Sequence, residues 1–335
     1  MVAASVRRAD RTFAAVLFAP ERGLIASAAL PGRGHDVAVN PVTRECVAFA
    51  RRPGTFAVAF GIERQRAPRA FASPPGRHFY GHGVFSPDGR LLYTTENDVT
   101  NATGCLGVWD VGAGYRRIGE LASGGVGPHD LNVLPDGRTL VVANGGIATH
   151  PDDPRRPLNL ATMRANLAYI DRLTGDLLER HALEAAHQRL SIRHLDIAGD
   201  GTVVFGCQNK GPRHHPHDLI GLHRRGTKLR LLAGDRVLHR ALNHYVSSVA
   251  IDASGSFAAV TSSRGQSVVF VDIAGRRVIG QQRLRDASGI ASGVSPGRFV
   301  ITGGGGDVAL VGPHGRPQRL PQRPWSWDNH AVAVV

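Results

Sequence analysis

The chain has 335 residues with 41 glycines and 20 prolines, and no apolar run approaches the ~20 residues a membrane-crossing helix needs, so the expectation is a soluble chain rich in turns. The net charge of +13 is almost all arginine. Because residues such as Arg90, Arg138, Arg276 and Arg298 are scattered through turns rather than massed in a stripe, they read as solvated loop residues, and no nucleic-acid partner is expected.

The first eighteen residues, MVAASVRRADRTFAAVLF, contain Arg7 and Arg8 but lack the long apolar segment and small-residue cleavage site of an export signal. Either the chain is cytoplasmic, or a signal was removed before residue 1. RTFAAVLFAP and GLIASAALPG then read as two or three strands. From Gly34 onward a unit recurs: one special residue, a short apolar alternation, and a turn. Its copies are GHDVAVNPVTRE, GHGVFSPDGRLLY, PHDLNVLPDGRTLVV, RHLDIAGDGTVVFG, SSVAIDASGSFAAV and SGIASGVSPGRFVI, with NHAVAVV at the C-terminus. Aligned on the turn, the copies start at His35, His82, His129, His194, Ser248, Ile290 and His330, spaced by 40 to 65 residues. A period of roughly 40–50 residues with several short strands per unit is the signature of a β-propeller.

Between the copies lie further alternating runs, among them GCLGVWDV, NLAYIDRLTGDLLE and SVVFVDIAGRRVIG, which read as the third strand of a blade and its connection to the fourth. The expected architecture is therefore all-β: a single domain over residues 1–335, forming a seven-bladed propeller of four-stranded blades. The last blade has one strand before the chain stops, so the N-terminal strands complete it and close the ring without an exposed edge.

In a propeller the first strand of each blade is innermost, and its first residue sits at one mouth of the central channel. This brings His35, His82, His129, His194 and His330 together. Five histidines in seven equivalent positions, from 16 in the whole chain, is not a chance distribution. The fold-holding Gly-His pair of WD repeats lies farther upstream of its turn than His82 lies from Asp88, so that role does not transfer. Two readings stay open: a polar, water-lined channel, or a transition-metal site, with iron, copper or zinc held by two or three of the imidazoles.

Loops after the second strands return to the same face and offer Glu96, Asp98, Asn144, Gln208 and Arg264 to the channel mouth. Two connections are long. One carries His150, Asp152 and Asp153, with a short helix expected in LNLATM; the other carries His214, His215 and His217. Both are candidate metal-binding loops. Trp325 and Trp327 either wall a pocket or pack between blades. Cys46, Cys105 and Cys207 are too few for a disulfide framework and read as buried free thiols. No G-x-S-x-G, H-E-x-x-H, Walker or Rossmann motif is present.

The strings GRHFYGHGVFSPDGRLLYTTEND, GPHDLNVLPDGRTLVVANGGIATHPDDPRRPLNL, SIRHL and WSWDNH resemble a bacterial family classed as a domain of unknown function. The resemblance spans nearly the whole chain. It implies a periplasmic seven-bladed propeller, exported by the twin-arginine route and encoded beside imelysin-type lipoproteins and a di-haem cytochrome-like protein in iron-uptake clusters. It supplies no catalytic residues. The expected function is a periplasmic propeller that binds iron, or a metal-bearing ligand, at the histidine-lined mouth, accessory to iron acquisition. The alternatives are a scaffold for an imelysin-like or di-haem partner, and a redox, hydrolase or lactonase enzyme with Glu96 and His82 as acid/base candidates.

Overall fold

A computed structural model describes residues 1–61 and 67–334. Seven antiparallel four-stranded sheets stand in a ring, a seven-bladed β-propeller. The innermost strands are Gly34–Val39, Arg77–Phe85, Pro128–Val133, Leu190–Ile197, Ser248–Ile251, Ala287–Ser292 and Trp325–Ala333, here blades one to seven. Each innermost strand touches those of its two neighbours, and the seventh touches the first.

Ring closure uses both chain ends. Trp325–Ala333 pairs with Val2–Arg8, which pairs with Phe13–Ala19 and then Gly23–Leu30. The Met1 ammonium donates to the Val334 carbonyl at 3.2 Å. Covering one end with the other leaves no unpaired inner edge to recruit a foreign strand.

The apolar pattern explains the radial order. Second strands such as Cys46–Ala50 and Thr139–Asn144 are buried at every residue. They read as continuous rather than alternating runs because both faces meet a neighbouring blade. Outermost strands such as Leu177–Ala182 alternate between exposed and half-buried positions. The core consists of apolar layers between blades. One of them sets Phe49 of blade one against Phe79, Phe85 and Trp109 of blade two.

The turn that ends the innermost strand recurs with one geometry, as Pro-Asp-Gly in blades two and three, Gly-Asp-Gly in blade four and Ala-Ser-Gly in blade five. Gly89, Gly137, Gly201 and Gly255 all have φ between 68° and 84°, and each donates its N–H to the carbonyl three residues back at 2.8–2.9 Å. A side chain there would be strained, so glycine is required. Carboxylates then join blades at the channel wall. Asp130 Oδ2 accepts from the Leu195 N–H at 3.0 Å, and Asp196 Oδ2 accepts from the Ile251 N–H at 2.7 Å.

One local expectation fails. LNLATM forms turns, and the α-helix lies instead at Arg236–Leu242, between blades four and five. Asp235 caps it by accepting from the Leu238 N–H at 2.8 Å, and Leu238 and Leu242 bury against the core. The LNLATM segment is held by its loop instead: Asn159 accepts from the Ala148 N–H and donates to the Gly146 carbonyl.

Candidate functional site

Each histidine sits where its strand is irregular. Register shifts fall between Gly34 and Val37, Phe79 and Gly83, Pro128 and Asp130, and Ile192 and His194. In blade seven the shift lies opposite Ala4 and Val6, between Trp327 and Ala331. A regular strand sends consecutive side chains to opposite faces, whereas a β-bulge re-aims them. Hence His35 reaches the cluster while its neighbour Asp36 also contacts His82 across the channel.

All five histidines are buried, with exposures of 2–8%. They form a compact cluster rather than an open ring. His82 is the hub, with ring centroids 5.0 Å from His35, 4.8 Å from His129, 5.7 Å from His194 and 4.8 Å from His330. His35–His330, His129–His194 and His194–His330 lie 4.6–4.7 Å apart. Two trios, His35/His82/His330 and His82/His129/His194, each bring three potential ligand nitrogens within 4.8 Å of one another.

The protonation states differ within the cluster. Burial opposes charge on His82, but Asp130 at 3.4 Å and Asp36 at 3.0 Å from its Nδ1 overcome it and raise the pKa to about 10. His330 is pushed down to about 4 by burial and then by the charge on His82. Burial likewise holds His35, His129 and His194 well below the ordinary imidazole value. One imidazolium therefore sits among four neutral rings.

On the turn side of the cluster the channel widens into a 330 Å³ cavity whose polar lining includes Asp36, Asp130, Asp196, Asn132, His82 and His330. These carboxylates were not singled out from the sequence. The signal was present in the strings GHD, PHD and RHLD, which place Asp one or two residues after the histidine. Burial raises the Asp196 carboxyl to about 6, with Asp130 adding to the shift.

The second-strand loop residues do not all gather at the mouth. Glu96 is corrected outright: it is fully buried inside blade two, accepting from Thr94 Oγ1 at 2.6 Å and from Arg117 on the outermost strand at 2.9 Å. An unpaired buried carboxylate is costly, so it turns to the nearest guanidinium. It is therefore not an acid/base partner for His82. Asp98 pairs with Arg77 and Asn101. Asn144 joins Ser123 to Asn166 within the wall of blade three. Gln208 donates to the Val246 carbonyl and accepts from Lys210, while Arg264 lies 4.5 Å over the Tyr245 ring.

The loop histidines stay apart from the channel cluster. His150 is exposed beside Asp152, the His214 and His215 rings lie 4.2 Å apart and tilted, and His217 faces His187. Trp327 packs 5.3 Å from Phe18 in an inter-strand layer, and Trp325 lines a surface pocket with Arg7, Arg8, Arg323 and Ser326. Cys46, Cys105 and Cys207 are free and buried.

The chain belongs to the family described as "Protein of unknown function (DUF1513)", which matches residues 28–334. It is similar in fold to Hydrazine Synthase from Kuenenia stuttgartiensis, with a TM-score of 0.66 over 90% of this chain and 89% of that one; at 15% identity this speaks for the fold alone. A stretch of 138 residues is 30% identical to "Probable calcium-binding protein CML28" of Oryza sativa subsp. japonica, covering 39% of this chain and 75% of that protein. This sequence contains no D-x-[DN]-x-[DN]-G loop closed by a glutamate, so the likeness brings no calcium ligands with it.

Proposed function

We propose that this protein binds a first-row transition-metal ion at the histidine cluster, with imidazole nitrogens as its protein ligands. One observation carries the reading. His35 Nδ1, His82 Nε2, His129 Nδ1, His194 Nδ1 and His330 Nε2 are all buried without a hydrogen-bond partner. Each such atom costs roughly 1–3 kcal/mol when left unmade; the four neutral rings offer lone pairs to an incoming cation, and His82 joins them by giving up its Nε2 proton as the metal arrives.

The trio His35/His82/His330 has the better supporting shell. His82 Nδ1 is held by Asp36, and His330 Nδ1 lies 3.2 Å from Ser248 Oγ, so both present Nε2 inward. A carboxylate behind a ligating imidazole fixes its tautomer and raises its basicity. Metal–nitrogen bonds of 2.0–2.1 Å set tetrahedral ligand atoms about 3.3 Å apart, so the trio closes by small side-chain shifts. All-imidazole donors suit iron, copper, zinc and nickel alike. A place in iron acquisition rests on the family resemblance alone.

The test is elemental analysis of untagged protein purified without chelators, followed by titration of stripped protein with iron(II), copper(II) and zinc(II) separately. The expected result is one ion per chain. His82→Ala, which removes a member of both trios, weakens binding on the order of 100-fold or more. His214→Ala/His215→Ala/His217→Ala leaves it unchanged. Wild-type protein that binds no better than a folded His82→Ala variant overturns the proposal.

A further inference from the structure

On the other side of the histidines, where the second-strand loops gather, positive side chains converge. Arg193 precedes His194 in the innermost strand of blade four; it is 4% exposed, and its Nε has no partner. Arg52 follows the second strand of blade one, Lys210 that of blade four, and Arg264 that of blade five. Among the described residues, none of these four cations pairs with a carboxylate, although Arg33 and Arg51 nearby share Asp328. Burial pushes Lys210 down to about 6, with Arg193, Arg52 and Arg264 adding to the shift.

Two tyrosines wall the place. Arg52 lies 6.0 Å from the Tyr80 ring centroid and Arg264 lies 4.5 Å from that of Tyr245. The Tyr80 hydroxyl is buried, with the Thr149 side chain beside it. A buried guanidinium without a counter-charge is destabilising, and adding like charges around it makes the cost larger. That cost is repaid only when an anion enters. The turn-side cavity carries Asp36, Asp130 and Asp196, so the channel runs from acidic to basic across the histidines.

We propose that Arg193, Arg52, Lys210 and Arg264 form a pocket for a small oxyanion of at least two negative charges, a polycarboxylate or a phosphate, seated against the histidine cluster. The guanidinium fork matches both groups through paired N–H donors, and Lys210 and the Tyr80 hydroxyl supply further donors. The pocket does not depend on the metal reading, because its cations and phenol are distinct from the imidazole ligands.

The experiment uses the full chain stripped of metal, with the chelator dialysed away because it is itself a polycarboxylate. Calorimetry and thermal unfolding are followed with citrate, phosphate, acetate and chloride at matched low ionic strength. Saturable binding of citrate or phosphate at one site, with a raised Tm, is expected, while acetate and chloride do neither. Whichever of the two binds tighter assigns the group. Arg193→Met should abolish binding, and Lys210→Met/Arg264→Gln should weaken it about tenfold or more. If Arg193→Met does not fold, the second variant, altered nearer the rim, carries the test. Failure of both citrate and phosphate to bind folded wild type overturns the proposal, as does equal affinity in the Lys210→Met/Arg264→Gln variant. Neither outcome bears on metal binding.

Discussion

Blades seven and one to four carry a histidine on the inner strand where blade five has Ser248 and, by ladder register, blade six has Gly289 rather than the Ile290 that the repeat spacing suggests. The two histidine-free blades share the four-stranded order, and blade six also has a register shift, between Ala287 and Gly289. Their inner contacts are hydroxyl bonds: Ser248 Oγ to His330 Nδ1 at 3.2 Å, and Thr261 Oγ1 donating to the Ser288 carbonyl at 2.7 Å. Strand order and the inner-strand bulge are thus built without imidazole. The histidines are an addition confined to one contiguous arc, and blades five and six close the channel around them with small side chains.

The largest effect that separates the arcs is acid lability of the metal-free protein. His330, at about 4, and His35, His129 and His194, well below their ordinary value, stay neutral in the fold. The unfolded chain takes up those protons near pH 6.5, so stability falls as pH drops below that value. The slope is about 1.4 kcal/mol per pH unit for each histidine. His82 has the opposite sign: its contribution is full below pH 6.5 and is lost as pH rises through about 10. Urea unfolding from pH 4 to 10 should show a steep acid limb and a shallow alkaline one. His129→Asn/His194→Asn should flatten the acid limb by about half. An unchanged limb would show that the arc is not its seat.

A smaller effect tests the carboxylates behind the hub. Asp36→Asn/Asp130→Asn keeps hydrogen-bond acceptors but removes both charges facing His82. Metal affinity, read by competition with a chromogenic chelator, should fall about 10–100-fold. Asp196→Asn, which faces the Ile251 N–H rather than a histidine, should leave affinity within about threefold. The smallest effect belongs to the histidine-free arc. Ser248→Ala removes one hydroxyl contact to His330 and should cost about 1 kcal/mol in chemical denaturation. A fall in metal affinity in Ser248→Ala as large as that of the Asp36→Asn/Asp130→Asn pair would erase the distinction between the arcs.

Arginine shows where sequence reading ended. The positive charge reads as solvated turn residues, and for Arg90 and Arg138 exposure agrees. Arg193 has the same composition signal and lies buried beside the cluster. Nothing in SIRHL distinguishes it, because its neighbours Arg52, Lys210 and Arg264 come from three different blades. Glu96 shows the converse: its place after a second strand suggests the mouth, but Arg117, 21 residues away, draws it into the blade.

The sequence by itself determined the seven-bladed ring, its closure by both termini, and that five histidines lie on innermost strands, although His82, His194 and His330 sit well inside their strands rather than at the start. All three depend on a local pattern repeated along the chain, and repetition makes a weak signal readable. Only the tertiary structure decided that bulges turn His and Asp into the channel together, that His82 is the hub, and that cations gather on one side and carboxylates on the other. Those features depend on contacts between blades far apart in sequence and on burial, which sets both charge state and hydrogen-bonding need.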